Sequence, residues 1–180
     1  MTERVATLTG PPGSGKTTAG RGAAAELGLE YVSAGELFRA EAEGRGITLA
    51  ELGRFAESHP EVDRSLDDRM IALASPARLM EGRVTGALLR RRGVPVLYLV
   101  VTARDEERYR RLARRDGLAP EEARRRTRAR EASERDRYRR YYGIDLEREP
   151  ADLVVDSTDR PPAAVAAELA RFVRVHRGDP

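Results

Sequence analysis

Short apolar runs alternate with longer amphipathic or polar segments along the chain. Five runs have the length and composition of strands, at 5–9, 29–32, 77–80, 94–101 and 152–156. The most apolar of them, 94–101, is typical of a strand buried on both faces of a parallel sheet. The segments between them predict helices at 17–27, 34–43, 48–57, 61–74, 105–116, 120–142 and 161–176. This alternation predicts an α/β fold of three layers, a central parallel sheet of about five strands flanked by helices.

Residues 33–75 predict only helices, so we expect them to form a small helical lobe beside the sheet. Ser33 and Glu36 have the spacing of a helix capping box at its start. The lobe also carries three acidic residues, Asp63, Asp67 and Asp68. A solvated acidic face is the more common arrangement for such a group, while a contact with the amine of a ligand stays open.

The segment that follows Leu118 contains no Leu, Ile, Val, Phe or Met as far as Arg140, so an apolar stripe cannot hold it. It is either an exposed helix laced by Glu–Arg pairs, which is the more common case, or a helix held by what it binds. From Arg104 to Arg140 there are 15 arginines against 9 acidic residues, although the net charge of the whole chain is only +3. This excess favours an anionic ligand near the segment.

The stretch from Gly10 to Thr17 reads G-x-x-x-x-G-K-[ST] between a predicted strand and a predicted helix, the context that a phosphate-binding P-loop requires. Its glycines permit positive φ and a nest of inward N–H groups at a helix N-terminus. Lys16, the only lysine in the chain, suits the β and γ phosphates, and the Thr17 hydroxyl suits Mg²⁺. The loop predicts a P-loop fold that binds the phosphates of a nucleotide, with Mg²⁺, through Gly10, Pro11, Pro12, Gly13, Ser14, Gly15, Lys16, Thr17 and Thr18.

Composition excludes several other classes of site. The chain has 180 residues, which predicts a single domain over 1–180. The absence of cysteine excludes disulfides, thiolate zinc sites and cysteine nucleophiles, and the only histidines, His59 and His176, are far apart. No apolar run has the length of a membrane span, and the N-terminus lacks the apolar core of a signal peptide, so we expect a cytoplasmic protein with no membrane partner.

A P-loop leaves the reaction open. The base-reading NKxD element of GTPases is not visible, and one short domain disfavours helicases and motors. Small kinases remain, in which cationic groups neutralise donor and acceptor phosphates. A nucleotide-dependent RNA-binding protein is the alternative of another class, but interleaved acids and the lack of clustered aromatics argue against nucleic acid as a partner.

Three motifs in order after the P-loop resemble those of nucleoside monophosphate kinases, most closely the short, archaeal-type cytidylate kinases. They are Ser33-Ala-Gly-Glu-Leu-Phe-Arg39, Glu81-Gly-Arg83, and Arg130-x-x-x-Glu134-Arg-x-Arg137-Tyr138-x-x-x-Tyr142-Gly-Ile-Asp145. The resemblance spans about 5–158. It implies transfer of a phosphoryl group from ATP to CMP, and also to dCMP, with ATP and a nucleoside monophosphate as substrates. We expect the protein to be a monomer. UMP, AMP or another small metabolite stays open as the acceptor.

The resemblance also implies a role for individual residues. Residues 33–75 would be the lobe that binds the nucleoside monophosphate (NMP), and 117–148 a lid. Glu81 would contact Mg²⁺ through water beside Thr17, and Arg115 and Thr158 would flank the ATP base. The expected catalytic residues are Lys16, Arg83, Arg130 and Arg137. The expected NMP-binding residues are Ser33, Gly35, Phe38, Arg39, Gly82, Arg83 and Glu134.

The chain departs from related kinases at two of these positions. Glu81 stands where an aspartate is common, which puts its contact with the metal in question. Arg83 directly follows Gly82, where adenylate kinases usually have Phe-Pro-Arg, and this disfavours AMP as the acceptor. For Lys16 and Arg137 we expect that replacement by alanine lowers kcat at least about a hundredfold with little loss of stability.

Overall fold

The central feature of the fold is a parallel sheet of five strands, found in a computed structural model that describes residues 3–178. The strands are β1 (Val5–Thr9), β2 (Glu30–Ser33), β3 (Arg78–Glu81), β4 (Val96–Thr102) and β5 (Leu153–Asp156). Their order across the sheet is β2-β3-β1-β4-β5. Strands β2 and β3 lie on one side of β1, and β4 and β5 lie on the other. The loop after β1 is therefore at the switch point of the sheet. In open α/β sheets that is where ligands bind.

Eight helices lie within the described residues. They are α1 (Lys16–Leu27), α2 (Ala34–Gly44), α3 (Leu49–Ala56), α4 (Pro60–Ala72), α5 (Thr85–Arg91), α6 (Asp105–Asp116), α7 (Pro120–Tyr142) and α8 (Pro162–His176). None of the helices in residues 3–178 is long and apolar enough to cross a membrane.

The two faces of the sheet have different cores because alternate strand residues point to opposite sides. Ala6 and Leu8 of β1 pack with α1 and α8, whose small residues such as Ala23 and Ala170 allow close approach. Val5 and its neighbours pack on the other face with α4 and α5. The two cores give the three layers that the sequence predicts, so the expected α/β class is confirmed.

Helices α2, α3 and α4 pack around a separate small core, formed by Ala42, Leu52, Ala56 and Val62 with Phe38 and Ile47 at its margin. The first turn of α3 is fixed by a capping box between Thr48 and Glu51. Ser33 occupies the N-cap position of α2, but its side chain makes no capping hydrogen bond. The predicted capping box at Ser33 is therefore wrong, while the helices of the lobe are present.

Helix α5 is absent from the sequence prediction because tertiary packing, and not local sequence propensity, stabilises it. It is only 7 residues long, and its approach to the sheet depends on a glycine. A Cβ on Gly86 would lie 2.5 Å from both Thr7 Oγ1 and Tyr98 Cδ2. A short glycine-containing segment has weak local helix propensity, so burial against β1 and β4 holds this helix.

Candidate active site

The P-loop joins β1 to α1 and has the backbone that its glycines permit. Gly10, Gly13 and Gly15 have φ of 152°, 79° and 80°. A Cβ on Gly10 would lie 2.0 Å from the carbonyl oxygen of Val101, so β4 leaves no room for a side chain there. Pro11, Pro12 and Ser14 complete the bend, and Thr17 and the exposed Thr18 follow Lys16 in the first turn of α1.

Side chains from three different elements hold the carbonyl groups of this loop. Arg83 Nη1 donates to the Gly10 oxygen at 2.7 Å. Arg108 Nη1 donates to the Pro12 oxygen at 2.8 Å, and Ser157 Oγ donates to the Ser14 oxygen at 2.7 Å. In a trans peptide the following N–H points away from the carbonyl, so the contacts with Pro12 and Ser14 turn the N–H groups of Gly13 and Gly15 away from their donors, while Pro11, which follows Gly10, has no N–H.

Lys16 lies near two other expected catalytic residues, Arg83 and Arg130, and near the carboxylates of Glu81 and Glu134. Burial lowers the pKa of its ammonium to about 8; nearby Glu81 opposes this effect, and the positive charges of Arg83 and Arg130 add to it. Its Nζ is 3.4 Å from the carbonyl oxygen of Pro11. A buried cation among other cations gains most from an incoming polyanion, so this position fits a phosphate chain.

Glu134 on α7 joins two of the predicted catalytic arginines. Its Oε2 accepts from Arg83 Nε at 3.0 Å and its Oε1 from Arg130 Nε at 2.7 Å. The residue is only 5% exposed. Burial opposes its ionisation, but the two arginines outweigh that effect and lower its pKa to about 2. The carboxylate is thus charged at neutral pH and holds both guanidinium groups near Lys16.

Arg137 is paired with a residue of the helical lobe. Its Nε lies 2.7 Å from Asp63 Oδ2 on α4, and the two side chains are each 5% exposed. One helical turn further along α4, Asp67 accepts a hydrogen bond from Tyr142 Oη at 2.7 Å. Asp63 and Asp67 are therefore buried against α7, and the expected solvated face is wrong for both. It holds for Asp68, which is exposed.

The first alternative for the polar helix α7, an exposed helix with Glu–Arg pairs, describes only its N-terminal half. Its N-terminal half carries exposed ion pairs such as Glu122 with Arg125 and Arg126. In its C-terminal half, polar residues are buried, since Glu134 and Arg137 lie against other elements and Tyr138 packs with Tyr98 and Ile144. Charge pairing holds this helix where an apolar stripe is missing.

The predicted NMP-binding residues lie around the start of α2 and the end of β3. Ser33 is buried, and its hydroxyl has no hydrogen-bond partner among the described residues. A Cβ on Gly35 would lie 3.6 Å from Ser33 Oγ and 3.9 Å from Arg39 Nη1, so these residues share one small space. Gly82 is tightly packed, since a Cβ there would lie 2.1 Å from Thr85 Oγ1. Phe38 contributes to the core of the lobe.

Glu81, the predicted water-mediated metal contact, is the last residue of β3 and is buried. Its carboxylate accepts a hydrogen bond from Tyr31 Oη. The Thr17 side chain also lies next to Tyr31. Tyr31 therefore connects the two residues that the resemblance places at Mg²⁺.

The predicted contacts to the ATP base are only partly brought together. Thr158 is buried beside Asp156, which accepts a hydrogen bond from its hydroxyl at 2.5 Å. Arg115 pairs with its neighbour Asp116, and its side chain is 62% exposed. The arginine that reaches this turn is Arg111, whose Nη2 donates to the carbonyl oxygens of Ser157 and Thr158 at 2.8 and 3.1 Å.

Arg108 and Arg111 are two residues at the loop that the sequence analysis missed. They stand at i and i+3 on α6 and so share one face, but they lie among 15 arginines between Arg104 and Arg140. This spacing is visible in the sequence, but it does not single out Arg108 and Arg111 because so many arginines surround them.

Comparison with known proteins assigns this arrangement to a family. The sequence model of the cytidylate kinase-like family matches residues 5–159. The cytidylate kinase of Methanothrix thermoacetophila is 40% identical over 155 residues, covering 85% of this chain and 88% of the relative. That of Archaeoglobus fulgidus is 34% identical over 174 residues and 95% of both chains.

Among solved structures, shikimate kinase from Acinetobacter baumannii superposes with a TM-score of 0.62 at 18% identity, covering 98% of this chain and 96% of that one. A likeness at this identity shows a shared fold. The family match and the relatives go further, because they cover most of the chain. The chain belongs to the cytidylate kinase-like family.

Proposed function

We propose that this protein transfers the γ-phosphoryl group of ATP to CMP, and also to dCMP, to form ADP and the nucleoside diphosphate. The observation that carries the proposal is the meeting of Lys16, Arg83 and Arg130 beside the P-loop, with Glu134 holding the two arginines. Use of ATP follows from membership of a kinase family. The relatives at 34–43% identity include several cytidylate kinases, which supports CMP as the acceptor.

On the donor side, the loop from Gly10 to Thr18 would bind the phosphates of ATP. The backbone amides would face the phosphate oxygens, and Lys16 would neutralise the β and γ phosphates. We place the ATP base against the turn at Ser157 and Thr158, where Arg111 contributes in addition to the predicted Arg115.

On the acceptor side, we propose that residues 33–75 form the NMP-binding lobe. Arg39 is an exposed arginine on α2 next to Gly35 and would bind the phosphate of the acceptor. The Ser33 hydroxyl, which has no hydrogen-bond partner within residues 3–178, offers a further hydrogen bond to that phosphate or its sugar. Phe38 and Gly82 would shape the wall, and Arg83 would face the phosphate from the end of β3.

The chemistry requires positioning and charge neutralisation. An acceptor phosphate oxygen is already anionic near neutral pH and can attack the γ-phosphorus in line without a general base. The bond from the γ-phosphorus to the ADP leaving oxygen breaks as the new bond forms, and the electron pair stays with ADP. Lys16, Arg83 and Arg130 would stabilise the negative charge on the transferring group.

Mg²⁺ fits the residues present. The Thr17 hydroxyl and the Glu81 carboxylate supply hard oxygen donors, the kind that this ion prefers. Within residues 3–178 there is no group of three or more Asp, Glu, His or Cys residues arranged to hold a metal, which fits an ion bound largely through waters and substrate phosphates. When bound, Mg²⁺ would neutralise phosphate charge, with Thr17 as a ligand and Glu81 acting through water.

We propose that the region 117–148, which includes Arg137, acts as a lid over the site. In the structure the guanidinium of Arg137 is occupied by Asp63, so its proposed contact with the transferring group requires a change of partner. Substrate phosphates would supply the competing charge. We further propose that the protein works as a monomer in the cytoplasm, where ATP and CMP are available.

The test is an assay of ADP release with ATP and Mg²⁺ and one acceptor at a time, chosen from AMP, GMP, CMP, UMP, dCMP and dTMP. We expect the highest kcat/KM for CMP, with dCMP also accepted. A higher kcat/KM for UMP or AMP would contradict CMP as the acceptor but would still support kinase activity. RNA binding with a steep salt dependence, and no ADP release with any acceptor, would contradict the proposed function.

A further inference from the structure

Arg108 connects the P-loop with α7 through one buried side chain. Its Nη1 lies 2.8 Å from the Pro12 carbonyl oxygen and 2.7 Å from Glu131 Oε1 on α7. Its Nη2 lies 2.7 Å from Asp105 Oδ1 on its own helix. The side chain is 5% exposed. A buried arginine whose fork is shared between a carbonyl group and two carboxylates has a single well-defined position.

The contact with Pro12 determines the orientation of one peptide group of the loop. In the trans peptide between Pro12 and Gly13, the carbonyl group and the N–H point in opposite directions. A guanidinium on the carbonyl side therefore directs the Gly13 N–H to the opposite side. The backbone also fits α6 closely, because a Cβ on Gly13 would lie 2.6 Å from the Arg108 carbonyl oxygen and 3.0 Å from Leu112 Cγ.

The contact with Glu131 joins α7 to the same guanidinium group that holds the loop. Glu131 follows directly after Arg130 and precedes Glu134 by one helical turn, and both of those residues belong to the cluster around Lys16. A shift of α7 that moves Arg130 also moves Glu131. The orientation of the loop amide and the position of the cationic helix are thus set by the same guanidinium.

We propose that Arg108 is a positioning residue that orients the P-loop for nucleotide binding and couples that orientation to α7 through Glu131. This proposal rests on the donor role of the loop given above and does not depend on the identity of the acceptor. It predicts that ADP binding weakens when either end of the connection is removed, and that binding of CMP on the other side of the site weakens less.

The test is calorimetric titration of the full chain with ADP alone and with CMP alone. We expect Arg108→Met, which keeps the length but removes the donors, to weaken ADP binding at least tenfold, and Arg108→Lys to weaken it less. Glu131→Gln leaves Arg108 in place and should weaken ADP binding at least threefold. CMP binding should weaken less than ADP binding in all three variants.

Two positions away from this connection provide matched controls. Arg114→Lys changes an exposed residue of α6, and Glu122→Gln on α7 alters ion pairs that do not reach the loop. Both variants should bind ADP as the wild type does. ADP binding within twofold of wild type in Arg108→Met would overturn the proposal, as would an equal loss of ADP and CMP binding. If Arg108→Met does not fold, the result for Glu131→Gln decides. A wild-type protein that binds no ADP would instead contradict the proposed function.

Discussion

Arg137 and Asp63 form a buried ion pair that joins α7 to α4, with Nε 2.7 Å from Oδ2. The pair links the two regions that we propose as lid and NMP-binding lobe. An arginine with such a partner has a structural role whether or not it also contacts substrate. Its replacement therefore affects stability as well as catalysis, in contrast to the expectation from the sequence.

Replacement of one partner alone should be strongly destabilising. Arg137→Ala and Asp63→Ala should each lower the free energy of unfolding by about 3 kcal/mol or more, because each leaves a buried charge unpaired. The double variant should lose less than the sum of the two, which urea denaturation of all four proteins would measure. Strictly additive losses would show that the two side chains do not interact.

Asp67 should make the protein less stable as the pH rises. Burial raises its pKa to about 7, with the negative charges of Asp63 and Asp68 adding to the effect and the hydrogen bond from Tyr142 opposing it. Between pH 4 and 7 the folded state then holds a proton that the unfolded state has released, so stability falls as the pH rises through this window.

The comparison that isolates this effect is the wild type against Asp67→Asn, which stays neutral. The difference in unfolding free energy between the two should change by about 1 kcal/mol per pH unit between pH 5 and 7, in the direction that favours the variant at higher pH. Urea denaturation over this range measures it. A difference that does not vary with pH would contradict the raised pKa of Asp67.

Nucleotide binding should be accompanied by uptake of a proton at alkaline pH. With a pKa of about 8, Lys16 is largely neutral at pH 9 in the free protein, and adjacent phosphates should restore its charge. Calorimetric titration of ADP at pH 9, in buffers of different ionisation enthalpy, should show uptake of nearly one proton per site. Lys16→Met should abolish the uptake, and unchanged uptake in that variant would assign the proton to another group.

Arg39 should affect the acceptor more than the donor. Loss of a charge-assisted contact with the acceptor phosphate costs about 1.5–3 kcal/mol, so Arg39→Ala should raise KM for CMP by roughly ten- to a hundredfold. KM for ATP should change less than twofold. Arg45→Ala is the control, since Arg45 is exposed beyond the end of the same helix and pairs with Glu41. Equal effects in the two variants would remove Arg39 from the acceptor site.

Local patterns explain which parts of the structure the sequence could predict. The P-loop is a continuous motif whose glycines and lysine specify its shape and ligand. The bounds of α6 and α7 are predicted to the residue, because Asp105 and Pro120 begin them and Gly117 and Gly143 follow them in the left-handed conformation.

The features that the sequence could not predict depend on partners that are distant in the chain. Asp63 is buried because Arg137 lies 74 positions further along and is folded against it. Arg108 reaches a P-loop carbonyl 96 positions away. No periodicity within α4 distinguishes Asp63 from exposed acidic residues, and the i, i+3 spacing of Arg108 and Arg111 on α6 does not stand out among the surrounding arginines, so tertiary packing selects these side chains.

The most direct test of the central claim is identification of the products by ³¹P NMR after incubation of the protein with ATP, CMP and Mg²⁺. We predict CDP and ADP in equal amounts, and a rate at least about a hundredfold lower with Lys16→Ala at an unchanged fold. Formation of ADP and inorganic phosphate without CDP would contradict the account, as would a Lys16→Ala variant with the turnover of the wild type.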